Sequence, residues 1–210
     1  LVKNFKNLNF LFGCILLILT TYLVFLNFIN ESGYWYDEFC TLLTSDPNVS
    51  LEVIFERHKG NFEKPNENVP ILYYLVLRFF FDVFGFTSQN GRIFSLIFYL
   101  ISSISVYFLA KKNLNASQSF FVAISFLSTP LIVWMANETR VDMFLIFFSL
   151  VNLLVFFNVL KKKDLGSSSL LFLSNILTLS IYPLTISLII SQGLFVILKK
   201  NLNLFLIIVF

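Results

Sequence analysis

Charge is what this 210-residue chain has least of: Asp, Glu, Lys and Arg together make up only 13% of it. A soluble domain ordinarily carries about twice that share. With 57% hydrophobic residues and a mean hydropathy of +0.81, the composition excludes an ordinary soluble domain. Histidine occurs once, at His58, and no second His or Cys stands at ligand spacing from it. That argues for a surface role and against metal ligation. The two cysteines, Cys14 in an apolar run and Cys40 in a polar loop, fall at different expected depths and do not suggest a pair. A net charge of +3 is too small to imply a nucleic-acid partner. No internal repeat is visible, and one membrane domain over 1–210 accounts for the whole chain.

What is abundant is apolar sequence. Runs at about 8–29, 93–110, 119–136, 143–160, 165–182 and 184–198 predict an all-α, polytopic bundle of about six spans plus the start of another. Lys3 and Lys6 before the first run imitate a signal peptide, but the run is too long and no small-residue cleavage site follows. The chain begins at Leu1, not Met, and its last ten residues open a further apolar run. It therefore reads as the N-terminal part of a longer protein. Nine of the fifteen basic residues are Lys at 3, 6, 111, 112, 161, 162, 163, 199 and 200, all beside the ends of runs. The positive-inside rule puts those clusters on the cytoplasmic face, and the loop 30–69 and the turns at Asn137–Asp142 and Tyr182-Pro183 on the outward face.

Counting 70–86 as a further span would send two lysine clusters outward. It is read instead as an amphipathic helix in the outer interface, with Tyr73, Tyr74 and the Phe run toward lipid and with Arg78 and Asp82 paired at i,i+4. Gly85 should end that helix, and Thr87–Gly91 should turn the chain into the next span.

The acidic residues are concentrated. Eight of twelve lie in the loop 30–69, which opens with Tyr34-Trp35-Tyr36-Asp37-Glu38-Phe39. Carboxylates kept at the mouth of a membrane bundle are costly without a task. Partial shielding there would raise a carboxylate pKa and suit it to general-base work, which makes Asp37 and Glu38 candidates, against the plainer reading of a solvated acidic loop. Glu138-Thr139-Arg140-Val141-Asp142 packs three more charges into one outward turn, where a local Glu–Arg or Arg–Asp pair capping the next helix is the alternative. Arg92 begins a span and could simply snorkel to headgroups. Glu63-Lys64-Pro65 precedes the interfacial helix, and Lys64, with Arg57 and Lys59, could bind a phosphate. All these groups share the outer face. A carboxylate to deprotonate an acceptor hydroxyl, and cations to stabilise a departing phosphate, are what transfer from a lipid phosphate needs.

In order and placement these motifs resemble the GT-C class of membrane glycosyltransferases, in the branch of the protein mannosyltransferases and the bacterial aminoarabinose and oligosaccharide-core transferases. The matching residues are Trp35-Tyr36-Asp37-Glu38, Pro70-Ile71-Leu72-Tyr73-Tyr74 through Phe84-Gly85, Gly91-Arg92-Ile93-Phe94-Ser95, Lys111-Lys112, and Glu138 through Met143. The resemblance implies Asp37 as general base beside Glu38, and Asp142 or Glu138 as a second acid. It also places Glu63-Lys64-Pro65 near the phosphate, so that Glu63 and Lys64, with Arg92, Arg140 and Tyr73 of the same outer face, are the candidate substrate-binding residues. The implied reaction is hexosyl or pentosyl transfer from a polyprenyl-phosphate sugar, with inversion, to a lipid, glycan or protein acceptor. The resemblance fixes no cofactor and leaves a divalent metal open. The implied setting is a multi-pass protein of the bacterial plasma membrane rather than the endoplasmic reticulum, with its active face outward. Unlike many members, which run Lys-Pro-Pro or His-Pro-Pro into the Leu-Tyr-Tyr helix, this chain inserts Asn66-Glu67-Asn68-Val69 after Pro65.

Two other readings compete. A transporter or flippase of a lipid-linked or anionic solute would place its polar site near mid-membrane, often within repeats. A non-catalytic membrane scaffold would leave the clustered acids without a role. Sequons at Asn48, Asn115 and Asn137 bear only on a secretory setting.

Overall fold

The computed structural model describes residues 35–59, 69–162 and 164–198, together with Ile15, Ile18 and Tyr22. The first span expected over 8–29 and the element Glu63-Lys64-Pro65 lie outside the described residues apart from those three positions. Among the described residues every regular element is helical. In chain order these are α1 (Tyr36–Thr44), α2 (Leu51–His58), α3 (Ile71–Phe84), α4 (Ser88–Ala110), α5 (Ala116–Leu127), α6 (Pro130–Ala136), α7 (Val141–Lys162) and α8 (Leu165–Ile181). A 3₁₀ turn (Pro183–Thr185) then leads into α9 (Ile186–Leu198).

The expectation of six spans needs correction. Among the described residues, only α4 and α7 are long and apolar enough to cross a bilayer alone. A third crossing requires α5 and α6 together, and that pair bends by 63° at its break. The break has a local cause: Pro130 at the first position of α6 lacks an N–H, and its ring holds Thr129 extended. The run at 165–182 shortens to a 17-residue helix of about 25 Å, below the roughly 30 Å of hydrocarbon. The turn expected at Tyr182-Pro183 is present and leads through the 3₁₀ turn into the still shorter α9 of 13 residues. Hydropathy alone could not see the break at Pro130, because the residues around it are apolar or small.

α4 and α7 run side by side in the same direction. Ser95 near the start of α4 donates to the carbonyl of Glu138 just before α7 (2.6 Å), and Lys112 beyond the end of α4 donates to Asn158 near the end of α7 (3.0 Å). The seam between them is aromatic: Phe94 stacks on Phe144 at 5.9 Å, and Phe98 meets Phe144 edge-on at 4.8 Å. Such pairs add to the area they bury. α5 returns along α4 and is tied to it where the Tyr99 hydroxyl donates to the Leu127 carbonyl (2.9 Å). Further down, α7, α8 and α9 share a polar clasp. Asn152 donates to Ser174 (3.0 Å) and Asn175 (2.7 Å), and Gln192 donates to Asn152.

α3 ends at Gly85, whose φ of 96° suits a residue without a side chain, and Thr87 caps α4 by accepting from Asn90. The expected facing of α3, however, is reversed in part. Tyr73, Tyr74, Leu77 and Phe81 form one stripe and are sealed in the main core against Phe94 and Phe144, while Phe79, Val83 and Phe84 stay exposed. Neighbouring rings offered a better partner to Tyr73 and Tyr74 than lipid did: both stand 5.5 Å apart, with Phe144 at 5.7 Å from Tyr73. Nor does Arg78 serve Asp82. Its guanidinium donates to the carbonyls of Asp46, Pro47 and Val49, closing the turn between α1 and α2. His58, the lone histidine, is bonded to the Val69 carbonyl at 2.6 Å.

Candidate functional site

The loop expected over 30–69 contributes a helix at the critical point. Asp37 and Glu38 occupy the first turn of α1, where carboxylates favour the positive end of the helix dipole. Adjacent helical residues point about 100° apart, so the two acids have opposite surroundings. Glu38 is fully buried, whereas the Asp37 side chain is 62% exposed. The shielding expected for the pair falls on Glu38.

Glu38 is held by two elements. Arg92 on α4 approaches it side-on, with Nε 3.1 Å from Oε1 and Nη2 3.2 Å from Oε2, and the backbone N–H of Thr139 donates to Oε1 at 3.0 Å. Arg92 is only 11% exposed and does not snorkel. A desolvated carboxylate is tolerable only with such a full set of partners. Gly91 makes the approach feasible. A Cβ there would fall 2.5 Å from Thr139 Cγ2 and 2.6 Å from Oγ1, so only a residue without a side chain lets the 137–140 turn reach the start of α4.

Arg140 organises the remaining acids. Its guanidinium lies 3.5 Å from Asp37 Oδ2, 3.7 Å from Glu138 Oε2 and 3.7 Å from Asp142 Oδ2. The local pairing expected within the Glu138–Asp142 turn is thus present, and it reaches Asp37 of a distant loop as well. These contacts are longer than hydrogen bonds, and Arg140 is about one-third exposed. Glu138 Oε2 is buried without a hydrogen-bond partner, and its carboxyl is pushed above the ordinary range. Burial is the main cause, partly offset by Arg140 and reinforced by Glu38 and Asp142.

The cluster sets four carboxylates (Asp37, Glu38, Glu138, Asp142) against two guanidiniums (Arg92, Arg140). Chemically it offers one exposed acid beside one accessible cation, backed by a sealed ion pair. Of the expected substrate-binding residues, Arg140 is accessible, Arg92 is committed to Glu38, and Tyr73 is 1% exposed inside the core. Glu63 and Lys64 lie outside the described residues. No group of three or more His, Cys, Asp or Glu among the described residues is arranged to hold a metal ion. An apolar groove of about 530 Å³ between α8 and α9 carries no ionisable lining residue and takes no part in acid–base chemistry.

The sequence did not reveal the partners that fix the site. Gly91, Ser95 and the Thr139 N–H act through backbone approach, and Arg57 and Arg78 act on backbone carbonyls. The one sequence signal was Gly91 immediately before Arg92.

Opposite this cluster, Lys111, Lys112, Lys161 and Lys162 gather at the other ends of α4 and α7, about 30 Å away by helix rise. The parallel helices α4 and α7 therefore have the carboxylate cluster at one end and lysines at the other.

No curated protein and no solved structure matches the chain. A family model does: dolichyl-phosphate-mannose-protein mannosyltransferase, over residues 68–208. The match takes in Arg92, Glu138, Arg140 and Asp142 and stops short of Asp37 and Glu38, which geometry alone joins to them. The chain belongs to the dolichyl-phosphate-mannose-protein mannosyltransferase family of membrane glycosyltransferases.

Proposed function

We propose that the chain carries the catalytic end of an inverting transferase, which moves a sugar from a polyprenyl-phosphate donor to an acceptor hydroxyl at the outward membrane face. Asp37 is the general base. The observation that carries this reading is the division of labour in α1: Glu38 is sealed against Arg92 and Thr139, while its neighbour Asp37 stands exposed beside Arg140. Asp37 takes the hydroxyl proton as the acceptor oxygen attacks the anomeric carbon. The bond from that carbon to the phosphate oxygen breaks, and the polyprenyl phosphate leaves with the electron pair. Arg140, accessible and loosely shared, is the described cation best placed to meet the departing charge. Asp142 and Glu138 hold Arg140 in place. Lys64, as in the family resemblance, is a second candidate for the phosphate. The setting proposed is a bacterial plasma membrane, and the acceptor is a lipid, glycan or protein hydroxyl.

The test is glycosyl transfer from a mixed pool of radiolabelled polyprenyl-phosphate sugars in membranes containing the protein, with wild type set against Asp37→Asn. Transfer lost with protein level unchanged supports the assignment. Transfer that persists moves the base to Asp142 or Glu138. No transfer with any donor from folded wild type favours the transporter reading.

A further inference from the structure

α1 has an unusual dependence on arginine. It is nine residues long, below the length at which a helix holds itself in water. Among its apolar side chains Cys40 and Leu42 are buried, while Tyr36 and Phe39 are exposed. Its first turn is held by Arg92 and Arg140. Its far end is held by two further arginines from other elements. Arg57 of α2 donates to the Leu43 carbonyl (2.5 Å), one of the last four carbonyls of α1, which have no partner inside the helix. Arg78 of α3 spreads its fork over three carbonyls of the turn that follows α1: Asp46 at 2.7 Å, Pro47 at 3.1 Å and Val49 at 2.8 Å.

The α3 anchor is rigid. The residues flanking Arg78 along the buried stripe, Tyr74, Leu77 and Phe81, are all in the main core against α4 and α7. Arg78 therefore connects the turn after α1 to the part of the fold that also carries Arg92 and Asp142. A planar guanidinium serves the three carbonyls from two nitrogens, whereas an ammonium on a shorter reach would have to draw all three oxygens around one nitrogen.

We propose that Arg78 is a positioning residue: its three-carbonyl clamp fixes the orientation of α1 and through it the place of the Asp37 carboxylate. Arg78 touches no substrate. The proposal rests on Asp37 having the chemical role given above, and the experiment separates the two claims.

The reporter is native Cys40, buried on α1, in a full-length Cys14→Ser background, probed by maleimide labelling in membranes. Arg78→Met and Arg78→Lys are compared with wild type, and a cysteine introduced at fully buried Ser102 of α4 reports the rest of the bundle in parallel. The expected result is that Cys40 labels about tenfold faster in both variants while position 102 stays protected, as local opening of α1 alone requires. Sugar transfer in Arg78→Lys should then lose kcat with the donor KM unmoved. Cys40 protection unchanged in Arg78→Lys overturns the proposal. So does loss of protection at both positions in both variants, because Arg78 would then hold the whole fold and not α1. If Arg78→Met alone opens both positions, Arg78→Lys decides. Absence of sugar transfer in wild type would refute the base assignment and leave the Cys40 result to judge the clamp.

Discussion

Among the described residues two polar clusters are set into the bundle, and they are built from different chemistry. At one end, Glu38, Arg92, Glu138, Arg140, Asp142 and Asp37 form an ionisable cluster with more acids than bases, part of it open. Deeper, Asn152, Ser174, Asn175 and Gln192 form a neutral clasp between α7, α8 and α9. Neutral amides are enough to fasten helices together in an apolar medium, where each hydrogen bond contributes modestly. Ionised groups carry a much larger desolvation cost, so their retention argues for a task beyond fastening. Within the ionised cluster the same contrast recurs over one peptide bond: Glu38 is buried and fully partnered, Asp37 exposed and loosely partnered.

That contrast can be broken most sharply at Asp37. Asp37→Asn should cut sugar transfer by about 10²- to 10⁴-fold, the usual contribution of a general base. Its thermal stability in detergent should stay within about 0.5 kcal/mol of wild type, because an exposed pair at 3.5 Å adds little. Arg92→Met should do the opposite. It leaves Glu38 buried and uncompensated, and a drop of about 3–5 kcal/mol, read as a lowered melting temperature, is expected. The neutral clasp sharpens the comparison. Asn152→Leu strands polar groups on α8 and α9 and should lower stability by about 1–3 kcal/mol, with transfer per folded molecule unchanged.

Gly91→Ala sets two effects against each other. Alanine gains up to about 1 kcal/mol of helix propensity, but its Cβ meets Thr139 at 2.5 Å, and overpacking of that kind costs about 1–3 kcal/mol. A net loss of stability is therefore expected, together with reduced transfer as the Thr139 N–H is pushed off Glu38. The smallest effect concerns pH. Burial raises the Glu138 carboxyl above its ordinary 4.5, so the folded chain holds that proton more tightly than the unfolded chain. The stability this adds is fully present below 4.5 and lost as pH climbs through the folded value. Melting curves across that range should flatten in Glu138→Gln relative to wild type.

Much of the site's location was legible in the sequence, because charge is so scarce that its few clusters stand out against apolar runs. Asp37-Glu38, Arg92 and Glu138 through Asp142 do meet at one end. What the sequence hid was orientation. Read as a loop, Asp37 and Glu38 look interchangeable; as the first turn of a helix they point apart. Arg78 and Asp82 had helical spacing for a pair, yet a turn 29 to 32 residues away offered three carbonyls instead. Tyr73 and Tyr74 fit an interfacial belt by composition and were drawn inward by rings that only the tertiary fold supplies. The span count failed for a related reason: Pro130 interrupts apolar sequence without lowering its hydropathy, and the two runs flanking the Tyr182-Pro183 turn are too short to cross alone.

The most direct test of the central claim is the initial rate of sugar transfer per folded molecule, from polyprenyl-phosphate donors, for Asp37→Asn beside wild type. The account predicts a near-complete loss of rate in a protein that melts where wild type does. Undiminished transfer by Asp37→Asn would contradict it.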